Sequence, residues 1–578
     1  MRPARSTPAG AAAPEAAGSI LAGVPGLILV MVLVLVLALP FTATAIPPLL
    51  DYPNHLARMA VEAPGGRDPA LGAMYRLHWA FYPDLAMDLV VPALARLLPL
   101  YLAGSLFIVA AMLLTVFGTV ALHRAWFAGR SPWPYASALT AYNAVLASGF
   151  LNYLFAVGLA LCAAAMWIRM RNRTPGKRAV LALGSGLACL VCHAFGFAIF
   201  ALLVVMLELD GWHRTPPGRR LPAAATGGAL LAAGLLVPLA LYKLLGPANT
   251  YNSPAQLGLF LHQLLAGGFL AEPRMRVLWL MGAVSSPGQP IDALGAAALV
   301  GVPAAAVVGG SLGLARPILW AAAALLGAYL VLPSYVVDCA FVYPRLAPPL
   351  VLLAIAGLNP RLARRPAALA VSVVAALVLF RAGATYQVWL GERQVLREVR
   401  TAMAPIRPCD RVLAVREGQQ VWMADPDEPR VARHFYNGLA YANLPALIVA
   451  ERHAFWPMLF TESGKQPLGV RGRYARLQQA DGYLPLARQL TMSPGQSGEI
   501  PGGDWPAQLR DWRGRYDEVL VLHARHRLDV AGLRLVRADG FAALYQVEHQ
   551  VGGGDRQGGA PAGHPGGCQA PERDRGAT

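Results

Sequence analysis

The chain has 578 residues, of which 56% are hydrophobic and only 14% are charged, and its mean hydropathy is +0.45. Soluble domains average about 25% charged residues, so this chain has too little charge to cover several soluble cores. Its 49 Lys and Arg against 32 Asp and Glu give a net charge of +17. The basic residues lie in short clusters between apolar runs, which argues against nucleic-acid binding and indicates an integral membrane protein.

Eleven apolar runs are predicted to cross the bilayer. The first, 24–46, is long enough for a hydrocarbon core of about 30 Å, and it follows a predicted disordered start at 1–23. Ala43-Thr44-Ala45 could be a signal-peptidase site, but we favour an uncleaved anchor. The runs 134–168 and 179–209 could each be one long helix rather than two. The ten later runs are 100–122, 134–149, 151–168, 179–192, 194–209, 221–245, 291–310, 317–335, 346–359 and 367–386.

The basic clusters decide between these alternatives and orient the chain. With eleven crossings and the N-terminus inside, every cluster falls on the cytoplasmic face, as the positive-inside rule requires. The prediction is therefore a multi-pass protein of the plasma (inner) membrane with a cytoplasmic N-terminus. The segments outside are then 47–99, 246–290, 336–345 and everything after 386. The clusters are 123–130, 169–178, 214–220, Arg316 and 361–365.

Residues 387–550 differ from the apolar part because their charges are distributed throughout. Strand-like runs at 411–415, 519–522 and 541–547, with helical stretches such as 392–403, predict a small extracytoplasmic α/β domain. The tail 551–578 is rich in Gly, Pro and Arg and is predicted to be disordered. The six cysteines have no metal-ligand spacing and imply no disulfide framework. The predicted fold is thus an α-helical polytopic membrane protein with about eleven transmembrane helices and this C-terminal domain.

The sharpest motif directly follows the first apolar run. Asp51-Tyr52-Pro53-Asn54-His55-Leu56-Ala57-Arg58 places a carboxylate, an imidazole and a guanidinium at the membrane boundary, with Pro53 in a helix's first turn. We predict Asp51 and His55 as catalytic residues and Arg58 as a substrate-binding residue. The alternative is structural, since an Asp at a helix N-cap is common and contributes about 1 kcal/mol.

Four more polar residues fall on the same predicted face, and each also has a structural interpretation. Asn152 could cap a helix, His193 could be a buried histidine with one hydrogen bond, and Arg345 could snorkel from a helix end. Asp338 lies between the ninth and tenth runs. Polar groups at membrane depth are costly and usually face a cavity. Because all these polar residues are predicted on the same face of the membrane, we favour a polar site there that binds a substrate outside the membrane.

These features resemble the C-type (GT-C) membrane glycosyltransferases over residues 24–386, and over most of 387–550 in layout. The shared features are an apolar first helix, an acidic residue opening the first external loop, amphipathic external helices, many short crossings and a soluble C-terminal domain. The resemblance implies that Asp51 acts on the acceptor or helps to hold a metal. It also implies that Arg345, in Tyr343-Pro344-Arg345-Leu346-Ala347-Pro348, lies near a lipid phosphate. Many members have two adjacent acidic residues, whereas this chain has Asp51-Tyr52.

The resemblance implies an enzyme that moves a sugar from a polyprenyl-phosphate carrier in the bilayer to a glycan, lipid or protein acceptor of the cell envelope. No Gly-rich loop joins a strand to a helix, so no nucleotide cofactor is expected. The Asp51-Tyr52 departure leaves a divalent metal open. Two alternatives also stay open: a transporter or lipid flippase, and an envelope assembly protein without catalytic activity.

Overall fold

The computed structural model describes most of the predicted membrane segments and most of the C-terminal domain. The predicted disordered segments 1–23 and, apart from Cys568, 551–578 lie outside the described residues, as does Asp338. The described residues are 26–65, 67–127, 129, 131–247, 258, 261–262, 272–284, 290–336, 339–418, 441–480, 484–493, 506–548 and 568.

The structure is mainly helical. In chain order, its helices are α1 Gly26–Ala38, α2 Tyr52–Glu62, α3 Pro69–Met74, α4 Ala86–Leu94, α5 Leu100–Trp126, α6 Ala144–Ala147, α7 Leu151–Arg169, α8 Pro175–Cys192, α9 Ala194–Arg214, α10 Arg220–Leu231, α11 Val237–Leu245, α12 Pro273–Gly282, α13 Pro290–Val308, α14 Arg316–Val331, α15 Val342–Gly357, α16 Arg364–Met403, α17 Leu447–Arg452, α18 Gly472–Ala475 and α19 Trp512–Arg515. A π-helical turn, Ala232–Leu236, joins α10 to α11.

Ten of the eleven predicted runs are helices with the composition of membrane spans. Six are long and apolar enough to cross a bilayer, namely α5, α7, α8, α9, α10 with α11, and α16. Four shorter apolar helices run over Leu27–Thr42, Ala293–Val308, Arg316–Val331 and Val342–Gly357. Separate helices α8 and α9, which meet at His193, exclude a single helix over 179–209. The predicted polytopic helical architecture is therefore confirmed.

Contacts between chain segments divide the helix ends into two sets. At the end where residues 47–99 lie, called here the loop end, Asp51 N donates to Ser148 O (3.3 Å) and Leu85 N to Val191 O (2.9 Å). At the other end, β2 (Leu312–Leu314) pairs with β5 (Leu358–Pro360). The described residues of all five predicted basic clusters lie at this second end, called here the basic end. The alternation of ends matches the predicted eleven crossings.

The run 134–149 crosses between the two ends, but it is not the predicted α-helix. It consists of a 3-10 helix, Trp133–Thr140, followed by the single turn of α6. Irregular backbone at membrane depth needs partners inside the protein. Arg381 of α16 supplies them, because its guanidinium donates to Leu139 O (2.5 Å) and Tyr142 O (3.3 Å). A buried arginine inside an apolar helix is thereby explained.

Helix α16 connects the membrane part to the C-terminal region. Its 40 residues form one continuous helix that is about 60 Å long at 1.5 Å per residue, roughly twice the thickness of a hydrocarbon core. The sequence analysis instead predicted a span at 367–386 and a separate helical stretch at 392–403. These are two parts of one helix, so the predicted boundary at 387 lies within it.

The C-terminal region contains the predicted strands. The sheet has the order β6 (Val412–Arg416), β8 (Glu518–Leu522), β10 (Ala542–Val547) and β9 (Leu533–Asp539). Strands β6 and β8 are parallel, and β10 is antiparallel to both neighbours. The three predicted strands are confirmed. Strand β9 was missed because it is a largely exposed edge strand that carries Arg534, Arg537 and Asp539.

The first loop and the C-terminal region form one packed unit. Strand β1 (Tyr75–Leu77) pairs antiparallel with β7 (Leu468–Val470). The only other described strands, β3 (Tyr335–Val336) and β4 (Cys339–Ala340), form a small hairpin.

A disulfide joins Cys409 to Cys568 across 159 residues. The expectation of no disulfide framework was wrong, because such distant cysteines give no pairing signal in the sequence.

Candidate functional site

Asp51 opens α2, but its carboxylate does not cap the helix. It makes no side-chain capping hydrogen bond, although it occupies the N-cap position. Its backbone is fixed against the turn after α6, where Gly149 has φ +84° and a Cβ would lie 2.7 Å from Asp51 N. Glycine is required there because of both the positive φ and the close approach. The carboxylate is therefore held at the loop end and left available for another role.

The Asp51 carboxylate receives one hydrogen bond from the C-terminal region. Asn443 donates its Nδ2 to Asp51 Oδ1 (3.0 Å), and Asn443 Oδ1 accepts from Asn54 Nδ2 (3.1 Å). Burial raises the pKa of Asp51 to about 7, while the charge of Arg345 and the Asn443 hydrogen bond act in the opposite direction. A carboxylate with this pKa can accept a proton near neutral pH.

A second carboxylate at the loop end, Asp84, was missed by the sequence analysis. It precedes α4, and its Oδ1 lies 3.9 Å from His193 Nε2. Burial raises the pKa of Asp84 to about 7, against the opposing charges of Arg58 and Arg345. The signal that could have found it is a second acidic residue, Asp84, just before an amphipathic helix on the same predicted face.

Arg345 stands in the first turn of α15 with its guanidinium between aromatic rings. Its Cζ lies 4.2 Å from the ring centroid of Phe150 and 5.4 Å from that of Phe195. Its Nη1 lies 3.6 Å from Cys339 Sγ. Within the described ranges, no carboxylate forms an ion pair with it, and its Nε has no hydrogen-bond partner. The structure thus presents a half-buried cation that an anion could bind.

Asn152 and His193 support this arrangement. Asn152 Oδ1 accepts from Met87 N (2.7 Å) and its Nδ2 donates to Asp84 O (2.9 Å), so it fixes the turn that carries Asp84. His193 Nδ1 accepts from Phe195 N (3.0 Å) and caps α9, while its ring packs on Tyr153 (5.4 Å between centroids). Both residues reach the predicted site, and their observed contacts are those of positioning residues.

His55 lies one turn after Asp51 but is turned into the protein. Its ring packs against Phe460 at 5.6 Å, and its Nδ1 has no partner among the described residues. Burial and the nearby charge of Arg58 hold its pKa well below the usual range, so the imidazole is neutral. No hydrogen bond joins the side chains of His55 and Asp51 among the described residues, and a catalytic role for His55 stays a prediction.

Arg58 forms a buried ion pair with Asp88, and this contact does not fit the predicted substrate-binding role. It is 1% exposed, its Nε lies 2.8 Å from Asp88 Oδ1, and its Nη2 donates to Asp88 Oδ2 (2.9 Å). Nη1 donates to Gln466 (3.1 Å). This guanidinium links α2, α4 and the C-terminal region, and protein groups occupy its donors.

We expect Asp88→Ala to destabilise the protein by about 3–5 kcal/mol, because it leaves the Arg58 charge buried without its main partner. The measurement is unfolding of the purified protein in detergent, with Lys465→Ala as control. Lys465 pairs with Glu462 (2.7 Å) nearer the surface, where loss of a pair costs at most about 1 kcal/mol. Equal stability of the two variants would contradict the structural role of Arg58.

A metal site was left open by the sequence, and the described residues offer little to hold one. No group of three His, Cys, Asp or Glu side chains with metal-binding geometry occurs among them. Asp51 and Asp84 remain the acidic groups that face Arg345.

Among the comparisons with known proteins, only the one with solved structures gives matches. No family model and no curated protein sequence matches the chain. The fold is similar to two crystal structures of ArnT from Cupriavidus metallidurans, one bound to undecaprenyl phosphate and one in the apo state. Each has 13% sequence identity to this chain, and the TM-scores are 0.45 for the bound and 0.46 for the apo structure. The matched region covers 90% of this chain and 98% and 97% of the two ArnT chains. The chemistry has to be argued from the residues of this chain.

Proposed function

We propose that this protein is a membrane glycosyltransferase that transfers a sugar from a polyprenyl-phosphate carrier to a cell-envelope acceptor at the outer face. One observation carries the proposal. Asp51, a carboxylate with a pKa of about 7, lies near enough to Arg345 for the charge of this guanidinium to act on it, and Arg345 has no ion pair among the described residues.

The transfer reaction needs these two groups. The acceptor hydroxyl attacks the anomeric carbon, its proton passes to Asp51, and the carbon–oxygen bond to the carrier phosphate breaks. The negative charge left on the phosphate is then stabilised by Arg345, through charge-assisted hydrogen bonds. Phe150 and Phe195 keep the guanidinium partly out of water, where such hydrogen bonds are stronger.

Asp84 gives the site a second acidic group with a separate task. Its carboxylate lies near His193, and Asn152 fixes its backbone. We assign it to acceptor binding, through hydrogen bonds from sugar or lipid hydroxyls. Asp51 is the assigned base because it has a hydrogen-bond donor, Asn443, that orients it.

The experiment for the function is a transfer assay in proteoliposomes. Purified protein is supplied with a radiolabelled polyprenyl-phosphate sugar and an envelope lipid extract as acceptor. We expect acceptor-dependent label transfer with release of polyprenyl phosphate. Movement of the intact donor between leaflets, without cleavage, would instead establish a lipid flippase.

The orientation of the C-terminal region is part of the proposal. The basic clusters support a cytoplasmic basic end, and the Cys409–Cys568 disulfide supports an oxidising compartment for the other end. We expect a variant with its four other cysteines changed to serine to react with a maleimide only after reduction. Those cysteines are Cys162, Cys189, Cys192 and Cys339. Full labelling in freshly lysed cells without reductant would contradict the orientation.

We expect Asn443→Leu to move the pH dependence of transfer. A base acts when it is deprotonated, so kcat/KM rises as the pH passes the pKa of Asp51, near 7. The Asn443 hydrogen bond lowers that pKa, so its loss shifts the acidic limb upwards by about one pH unit. If the variant were slower at every pH but the acidic limb of its kcat/KM profile stayed at the wild-type pH, Asn443 would have only a structural role.

A further inference from the structure

The basic end contains a large cavity that the proposed reaction does not use. Its volume is about 1010 Å³, at the upper limit of ordinary ligand pockets. It lies between the ends of α5, α7, α8, α9 and α10, whereas the candidate site lies at the loop end. The side of the cavity formed by α10 is lined by small residues, which leave space for a ligand. They are Ala223, Ala224, Gly227 and Gly228.

The arginines of the cavity fall into two classes. Two of them are already neutralised, since Arg178 binds Glu208 (2.7 Å) and Arg214 binds Asp210 (2.8 Å). Arg171 and Arg219 are exposed at the rim, and neither forms an ion pair within the described part of the chain. The rim therefore carries two unpaired positive charges.

The walls below these charges are aromatic and apolar. Trp126, Trp167 and Trp212 line the cavity, and Arg214 and Arg178 stack over the first two. Tryptophan is the residue typical of the membrane–water boundary. Only 22% of the apolar window in α8 and of that in α10–α11 is buried, so much of these helices faces the bilayer. An occupant must thus combine an anionic head with hydrocarbon.

We propose that this cavity binds an anionic phospholipid of the leaflet at the basic end. Arg171 and Arg219 bind its phosphate, and its acyl chains lie along the tryptophans and the small residues of α10. Basic pockets between membrane helices on the cytoplasmic side are suited to such headgroups. The lipid would fill the space between α9 and α10 and stabilise their packing.

The test uses the full chain in nanodiscs of phosphatidylcholine containing a small fraction of phosphatidylglycerol. Native mass spectrometry after detergent release measures how much phosphatidylglycerol stays bound. We expect Arg171→Ala/Arg219→Ala to reduce retention by roughly ten-fold or more, because the lipid phosphate loses both charged donors at the rim. The matched control is Arg364→Ala/Arg365→Ala, which removes two exposed arginines of the same end outside the cavity.

A second variant tests the cavity rather than the charge. Gly228 lines it and a Cβ there meets no atom within 4 Å, so Gly228→Leu obstructs the space while favouring the helix. We expect it to reduce retention with both rim arginines intact. Equal retention in the rim and control variants would overturn the proposal, because the attraction would then be a general surface effect. Displacement of the lipid by millimolar glycerol phosphate would also overturn it, in favour of a site for free phosphates.

Discussion

Asp51→Asn is expected to reduce sugar transfer by about 10²-fold or more, the usual scale for loss of a general base. Asparagine cannot accept the acceptor's proton, but it is nearly isosteric. Its Oδ1 can still accept the hydrogen bond that Asn443 gives to Asp51. Because the carboxylate makes no capping bond, stability should change by less than about 0.5 kcal/mol. The measurement is the initial rate of transfer in proteoliposomes with matched amounts of protein.

Asp68→Asn is the matched control for this substitution. Asp68 lies in the same loop and does cap a helix, since its Oδ1 accepts from Leu71 N (2.9 Å). Asparagine is as good a cap as aspartate, and the partly exposed contact of Asp68 with His453 (3.1 Å) is worth at most about 1 kcal/mol, so this variant should keep its activity and most of its stability. Full transfer by Asp51→Asn would remove the base from the proposed mechanism and favour the non-catalytic alternative.

Arg345→Lys is expected to lower kcat by about 10²-fold, the scale of losing one donor to a developing anion. An ammonium keeps the charge but loses the planar fork that stacks on Phe150 and can bind phosphate through two donors. Because the leaving phosphate gains charge as the bond breaks, the loss should fall on kcat more than on KM. Steady-state rates over a range of donor concentrations measure this division.

Arg76→Lys is the control for Arg345→Lys, because Arg76 is an exposed arginine on β1 at the same end of the molecule. We expect it to leave both constants unchanged. If Arg345→Lys also left them unchanged at normal protein levels, Arg345 would be a helix-end residue that merely reaches the interface.

The membrane architecture could be predicted from the sequence because lipid imposes simple rules. Run length and the position of arginines predicted eleven segments, and ten of them are helices in the structure. The exception, 134–149, has the right composition but depends on Arg381, more than 230 residues later, for its backbone partners. Composition indicates how hydrophobic a segment is. Whether a buried segment forms an α-helix or a 3-10 helix depends on tertiary contacts that the sequence does not show.

Some of the candidate site residues also carry a signal in the sequence, and others do not. Asp51 and Arg345 could be singled out because charged residues at the ends of apolar runs are unusual. Asn443 is 392 residues from Asp51 and has no sequence signal, since only folding brings the C-terminal region onto α2. The ion pair of Arg58 could not be foreseen because its partner Asp88 lies on another helix, so its charge looked unpaired in the sequence.

The most direct test of the central claim is equilibrium binding of radiolabelled polyprenyl phosphate to the purified protein, compared between Arg345→Gln and Asp51→Asn. In the proposed reaction Arg345 binds the phosphate and Asp51 takes the proton, so the two variants should fail at different steps. We predict that Arg345→Gln binds at least about ten-fold more weakly, the value of one charged hydrogen bond. Asp51→Asn should bind at least as tightly as the wild type, because it removes a nearby negative charge. Wild-type affinity in Arg345→Gln would contradict the account.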